Sequence, residues 1–248
     1  PGIPEDTELA IVQRDIDLVR ETGVHVHFQH VSTAISFDAI RRAKAEGLPI
    51  TCETAPHYLA LNDEALLKYG TLAKMNPPLR SEKDRQATIA AIADGTVDMI
   101  ATDHAPHTLD EKRLGFLEAP NGIIGLECAF GVCHKILVDG GYISDERLIE
   151  LMALNPASLM GRHSTDIAGL LNTSARCATT RTLDLAATEH PESNDLVILG
   201  LDDEWSVASD EFKSNARNTP FDGWQVTGRP YATIIGSRLV FTRLDALD

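Results

Sequence analysis

Positive charge is what this sequence is short of: 22 Lys and Arg stand against 37 Asp and Glu, a net charge of −15 at pH 7. Such a surface repels phosphate backbones and anionic lipid, which argues against nucleic acid or an anionic membrane as partner. An anionic substrate would have to be met by local cations or a metal. Cysteine is sparse as well. Cys52, Cys128, Cys133 and Cys177 form no C-x-x-C pair and no dense framework, which argues against a disulfide scaffold. No apolar run is long enough to span a bilayer, no signal-peptide pattern opens the chain, and there is no initiator Met. The expectation is a soluble cytoplasmic protein. Pro1-Gly2-Ile3-Pro4, a loop leading straight into a helix, reads as the interior of a longer chain.

What is present suffices for a sizeable core, with 248 residues of which 43% are hydrophobic. Pro4 to Thr22 carries Leu9, Val12, Ile16 and Val19 on one stripe, the pattern of an amphipathic helix that Gly23 ends. Val24 to Gln29 predicts a strand, and Ser32 or Thr33 a cap for a helix bearing Ile35, Phe37, Ile40 and Ala43 that stops at Gly47. Pro49 to Glu53 predicts a second strand. The prolines of Lys74-Met75-Asn76-Pro77-Pro78-Leu79-Arg80 exclude helix there. Ser81, with an acid at Asp84, opens a helix running to Asp94-Gly95, and the next strand ends at Asp103.

Strand-then-helix units in succession point to the α/β class, a parallel sheet wrapped by helices. A complete eight-unit barrel takes about 250 residues, so only part of one fits before the pattern changes near Gly161. A loop is expected from Thr108 to Gly122, then helices from about Ile124 to Val138, after Ser144 and at Asn155-Pro156. His163 to Ser193, rich in Thr, Ala and Ser, reads as an insertion or poorly ordered segment. Asp195 to Leu201 predicts a strand and Asp202-Asp203 a turn. Tyr231 to Ile235 and Arg238 to Thr242 predict a hairpin about Gly236-Ser237. The expected division is therefore residues 1–162, 163–193 and a β-rich 194–248.

The chemistry-bearing residues gather at predicted strand ends. Asp103 closes the apolar run Met99-Ile100-Ala101, and His104 and His107 follow in a Pro-broken loop. A parallel barrel delivers charged groups at such ends, where a carboxylate binds metal, acts as general base, or both. An ordinary strand-end Asp is the structural alternative. His25-Val26-His27 puts two imidazoles on one strand face, a chelating spacing. The pair lies inside the strand, however, and buried, hydrogen-bonded histidines are the alternative there; His30, at the strand end, is the stronger ligand candidate. His57 either lines the same mouth or makes a structural hydrogen bond. Asn76, in a stiff loop, suits an amide or urea partner, or an Asx-type turn. Arg80 either binds a carboxylate or pairs with Asp84. Asn121-Gly122 offers a backbone N–H ahead of a helix, a contact for an anion or carbonyl.

His30-Val31-Ser32-Thr33, Thr54-Ala55-Pro56-His57, Asn76-Pro77-Pro78-Leu79-Arg80, Thr102-Asp103-His104-Ala105-Pro106-His107, Pro120-Asn121-Gly122-Ile123-Ile124-Gly125-Leu126-Glu127 and Arg217-Asn218-Thr219-Pro220-Phe221 occur in this order. Together they resemble the bacterial class I dihydroorotases of the amidohydrolase superfamily, over nearly the whole chain and least from His163 to Ser193. The resemblance implies a metal-bearing (β/α)8 barrel with a β-sandwich built from both chain ends. This chain would hold about strands six to eight with their helices, and the C-terminal sandwich strands. It also implies zinc-dependent, reversible hydrolysis of dihydroorotate to N-carbamoyl-aspartate in pyrimidine synthesis. His30 would be a zinc ligand and Asp103 the metal-contacting acid/base. Asn76, His107, Asn121 and Gly122 would be substrate contacts.

The family's first-strand H-x-H-x-R, its bridging Lys or Asp and its strand-five His have no counterpart in the sequence. The chain alone is therefore expected to be inactive and to bind zinc weakly. Competing readings are another cyclic amidohydrolase (a hydantoinase or allantoinase) and a non-catalytic dihydroorotase-like partner of aspartate carbamoyltransferase. A homo-oligomer, or association with that transferase, is the protein partnership the resemblance allows.

Overall fold

The computed structural model describes residues 2–162, 195–235 and 238–243. The segment 163–193 and the Gly236-Ser237 turn, both singled out in the sequence, lie outside the described residues. Helix α1 (Glu5–Thr22) buries Val12, Ile16 and Val19. It ends at Gly23, whose φ of 68° sends its N–H back to the Val19 carbonyl at 2.8 Å. That left-handed turn is open to glycine without steric penalty. Three parallel strands follow, β1 (Val26–Phe28), β2 (Ile50–Thr54) and β3 (Met99–Ile100), in spatial order β1-β2-β3. Val26 lies opposite Ile50, and Thr54 opposite Ile100. Helix α2 (Ala34–Ala45) connects β1 to β2. Helices α3 (Pro56–Ala60), α4 (Ala65–Tyr69) and α5 (Glu82–Ala93) lie between β2 and β3. The expected α/β class is what the chain adopts.

The strands are shorter than the apolar runs because His30 and Asp103 leave the extended conformation, with φ of 41° and 47°. Both residues just beyond the strand ends are thus non-glycine and left-handed, a costly geometry that only surrounding contacts maintain. The start of α2 is also held differently from expectation. Thr33 occupies its N-cap but makes no side-chain cap bond. The amides of Ser32 and Thr33 instead donate to the Glu8 carboxylate of α1, and that of Ala34 to Asp84 of α5. Carboxylates satisfy a helix N-terminus as well as a hydroxyl does, and its dipole favours them. At α5 the expectation is met, with Ser81 accepting from the Asp84 N–H.

Thr108 to Gly122 is not all loop. Thr108 and Glu111 form a reciprocal capping box that starts α6 (Leu109–Lys112). The helix expected from Ile124 begins five residues later, as α7 (Ala129–Cys133), and continues through a π-turn at His134–Val138. The delay arises because Ile123 and Ile124 are engaged elsewhere: the Ile123 carbonyl accepts from Ala105 N–H and the Ile124 N–H donates to the Asn218 carbonyl. Helix α8 (Asp145–Ile149), a π-turn at Glu150–Leu154 and α9 (Asn155–Leu159) follow.

In the tail, β4 (Leu196–Ser206), β5 (Gln225–Ile235) and β6 (Arg238–Thr242) form an antiparallel sheet in that order. Asp202-Asp203 is not a turn. It lies within β4, where the register shifts between Gly200 and Glu204 and a bulge absorbs the extra residues. One core gathers α1, α2, β1, β2 and α5 around Ile16, Phe37, Ile40 and Ile92. A second joins Tyr58, Met75, Leu79, Ile123 and Val132 to Val207, Phe221 and Val226. The tail is thereby packed against the segments that follow the parallel strands, which is where the site lies.

Candidate active site

His30 and Asp103 sit just past the C-terminal ends of the two outer parallel strands, β1 and β3, and a third group follows the middle strand, β2. His57, at the start of α3, is buried, with Nε2 3.9 Å from Asp103 Oδ2. Neither atom has a hydrogen-bond partner, although both are buried. Burial, and then the His30 charge, hold the His57 pKa down to about 3, so its ring is neutral at physiological pH. Desolvation raises the Asp103 pKa above the usual carboxylate value, Glu53 raises it further, and His30 pulls it back. His30 thus acts electrostatically on both groups, and the three form one cluster. A carboxylate with an unpartnered oxygen and a raised pKa suits proton transfer.

Asn76 and His30 line a common cavity of about 410 Å³ with Glu8, His27 and Arg80. The Asn76 loop is anchored by the Tyr58 hydroxyl, which donates to the Pro77 carbonyl at 2.6 Å. Arg80 binds a carboxylate, that of Glu8, and does not pair with Asp84. Its guanidinium is buried against Glu8 Oε2 at 3.6 Å, donates to Ser32 Oγ at 3.1 Å, and reaches the Ile3 carbonyl at 2.6 Å. Asp84 is drawn instead to Ala34 and Ser81.

His107 and Gly122 are brought into contact. A Cβ built on Gly122 would meet His107 Cδ2 and the Ala105 Cβ, each at 2.8 Å, and the Gly122 φ is 146°. The Gly122 N–H, expected to be an exposed donor, is already engaged. It donates to the Lys74 carbonyl at 2.9 Å, which ties this loop to the Asn76 loop. Asn121, the other residue of that pair, is exposed. His25 and His27 both hydrogen-bond Thr51 Oγ1, and His27 Nε2 lies 3.1 Å from Glu53 Oε2. That is the hydrogen-bonded strand-histidine alternative, with His25 exposed rather than buried.

Sequence reasoning passed over several supports. His104 Nδ1 accepts from the N–H groups of Gly125 and Leu126. Lys112 Nζ donates to the carbonyls of Pro120 and Gly122, and Asn218 reaches both the 105–107 and 122 segments. The Thr-x-x-Glu spacing at 108–111 and the Arg217-to-Phe221 block were the available signals.

Zinc at an open site takes three protein ligands. Among the described residues, no group of three or more His, Cys, Asp and Glu is placed to hold a metal ion. His30 and Asp103 offer donors of the right kind, and Asp103 Oδ2 lacks a partner, but two donors do not complete a zinc site.

No family model matches the chain. The dihydroorotase of Acetivibrio thermocellus is 41% identical over 239 residues, 96% of this chain and 51% of that protein. That of Lactiplantibacillus plantarum is 43% identical over 241 residues, 97% of this chain and 51% of the enzyme. The chain spans about half the length of the curated dihydroorotases it matches. Among solved structures, the L-hydantoinase (dihydropyrimidinase) from Arthrobacter aurescens matches with a TM-score of 0.81 and 29% identity, over 97% of this chain and 50% of that one. The dihydropyrimidinase from Brevibacillus agri, at a TM-score of 0.76 and 23% identity over 96% of this chain and 49% of that one, shares the fold. Dihydroorotases and hydantoinases are both cyclic-amide hydrolases, and it is to that class of enzyme that the chain is related.

Proposed function

We propose that this chain forms the acid–base and substrate-loop half of a dihydroorotase. Residues 1–162 would be part of a (β/α)8 barrel, about strands six to eight, and residues 194–248 strands of a β-sandwich. The observation that carries the reading is Asp103, whose raised pKa and unpartnered Oδ2 belong to a chain 41% identical to a dihydroorotase over nearly its full length. In hydrolysis Asp103 takes a proton from the attacking water as its oxygen bonds to the ring carbonyl carbon. It returns that proton to the ring nitrogen as the C–N bond breaks, leaving N-carbamoyl-aspartate. Ring closure runs the same transfers in reverse and releases water. Asn76, His107 and the backbone at Asn121 orient the ring so that its carbonyl meets the water, and Gly122 sets the shape of that loop.

A zinc ion held in part by His30 and Asp103, with its remaining ligands outside this chain, would polarise the carbonyl and acidify the water. The pathway would be cytoplasmic pyrimidine synthesis. No described helix is long and apolar enough to cross a membrane. Oligomerisation, or docking with aspartate carbamoyltransferase, belongs to the same reading. The structural likeness to the L-hydantoinase supports hydantoin as the competing substrate. Steady-state assays of a protein that contains this chain at the length of its relatives decide between them. Turnover of dihydroorotate in preference to hydantoin and allantoin is expected; a preference for either of those would replace the dihydroorotase reading.

A further inference from the structure

We propose that Asn218, in the tail, is a positioning residue that locks the His107 loop to the Gly122 loop, and that Lys112 is a second lock on the same Gly122 carbonyl. The inference rests on the dihydroorotase reading, because it takes those loops to hold the substrate. Asn218 is completely buried. Its Oδ1 accepts the His107 N–H at 3.0 Å, and its Nδ2 donates to the carbonyls of Ala105 and Gly122, each at 3.0 Å. Its own carbonyl accepts the Ile124 N–H at 3.0 Å. The side chain thus uses an acceptor and both of its donors on two separate loops. An amide has that donor set; a carboxylate of the same size has none of the donors.

Lys112 reaches the Gly122 carbonyl from the other side. Its Nζ lies 2.9 Å from that oxygen and 2.9 Å from the Pro120 carbonyl, so the two carbonyls flanking Asn121 are both fixed by one buried group. Burial and then the Lys74 charge lower the Lys112 pKa to about 8. Lys74 adds its own grip, accepting the Gly122 N–H at its carbonyl and donating from Nζ to the Phe116 and Ala119 carbonyls. The tail segment presenting Asn218 is itself rigid. Arg217 binds the carbonyls of Ser214, Ala216, Asp210 and Phe212, and Phe221 is buried edge-on to Trp224 with ring centroids 5.1 Å apart. A residue 111 positions beyond His107 therefore sets where the substrate loops stand. Asp103, on its own strand end, makes none of these bonds.

The test is Asn218→Asp and Lys112→Met in the complete enzyme, read by steady-state kinetics with dihydroorotate and by hydrogen exchange. Asn218→Asp keeps the acceptor for His107 but sets an oxygen against the Ala105 and Gly122 carbonyls. KM should rise roughly tenfold or more, one lost buried hydrogen bond being worth about that factor, while kcat changes much less. Exchange should quicken in 105–107 and 120–124 and not in the parallel strands. Because both variants act on the Gly122 carbonyl, their effects on KM should fall short of additive in the double variant. Should Asn218→Asp fail to fold, Lys112→Met reads the same split alone. An unchanged KM, a fall in kcat alone, or exchange rising evenly across the chain would overturn the proposal. An unsubstituted enzyme that does not turn over dihydroorotate removes the function reading instead, and the exchange pattern still decides the lock.

Discussion

His57 Nε2 and Asp103 Oδ2 face each other at 3.9 Å, both buried and neither hydrogen-bonded. With its pKa near 3 the imidazole is neutral, so this is no ion pair. It is an uncharged ring that shields one face of a carboxylate from water. Removing water and donors from a carboxylate raises its proton affinity, which is the direction found for Asp103. His57 therefore tunes Asp103, the proposed acid–base group. In the complete enzyme, Asp103→Asn is expected to lower kcat by about 10²–10⁴-fold, the usual contribution of a positioned acid–base group. Circular dichroism and the thermal midpoint should stay near those of the parent. Retained turnover would remove Asp103 from the mechanism.

The same pair makes a pH prediction whose sign follows from His57. Its folded pKa is near 3, and its unfolded value is about 6.5. Between these limits the unfolded chain binds the extra proton, so stability is complete above about pH 6.5 and is lost as pH falls towards 3. From pH 7.5 to pH 5 the loss attributable to His57 is on the order of 2 kcal/mol. His57→Phe keeps a ring against Tyr58 and has no proton to take up, so it should flatten this slope. Urea unfolding of parent and variant at the two pH values measures it. Equal slopes would mean that the buried ring is not what acid attacks.

Gly122→Ala tests the close approach of the His107 and Gly122 loops. The position has a φ of 146°, and a Cβ would meet His107 Cδ2 and the Ala105 Cβ at 2.8 Å and the Ala105 carbonyl oxygen at 2.9 Å. Strain of this kind is worth about 1–3 kcal/mol, and the loops can relieve it only by parting. The expected outcome is a weaker substrate interaction, seen as a higher KM for dihydroorotate, together with a lower thermal midpoint. A fully active, fully stable alanine variant would show that the loops need not touch.

Much of this arrangement was readable from residue patterns, and the misses have a common cause. The stripe on α1 and the Ser81 cap depend on neighbours along the chain, and both emerged where expected, whereas the strands before His30 and Asp103 stop sooner, at Phe28 and Ile100. The N-terminus of α2, the partner of Arg80 and the delayed start of α7 depend on residues far away in sequence: Glu8, Asp84 and Asn218. Thr33 is a sound cap by type, but a carboxylate from another helix outcompetes its hydroxyl. The Asn121-Gly122 turn was legible as a candidate contact. That its glycine N–H belongs to Lys74 was not, because no local pattern encodes which carbonyl will stand 2.9 Å away. The sequence does not decide His57 for the same reason, its neutrality being a property of the folded interior.

The most consequential of these long-range bonds is the one between Glu8 and Arg80. Both side chains are buried or nearly so, 3.6 Å apart, and they meet at Ser32, two residues beyond His30. The Glu8 carboxylate also accepts the N–H groups of Ser32 and Thr33 and the hydroxyls of both, so it holds the whole loop that carries His30. Removing it strands a buried guanidinium as well as that loop. Removing the guanidinium leaves Glu8 with its other donors. Glu8→Ala should therefore be the more damaging change, at about 3–5 kcal/mol, and Arg80→Leu the milder, at about 1–3 kcal/mol. The double variant should lose less than the sum, since neither charge is then left unpaired. Urea unfolding of the single and double variants gives the coupling. Strict additivity would show that the pair is not an interacting unit, and that His30 is held by the backbone alone.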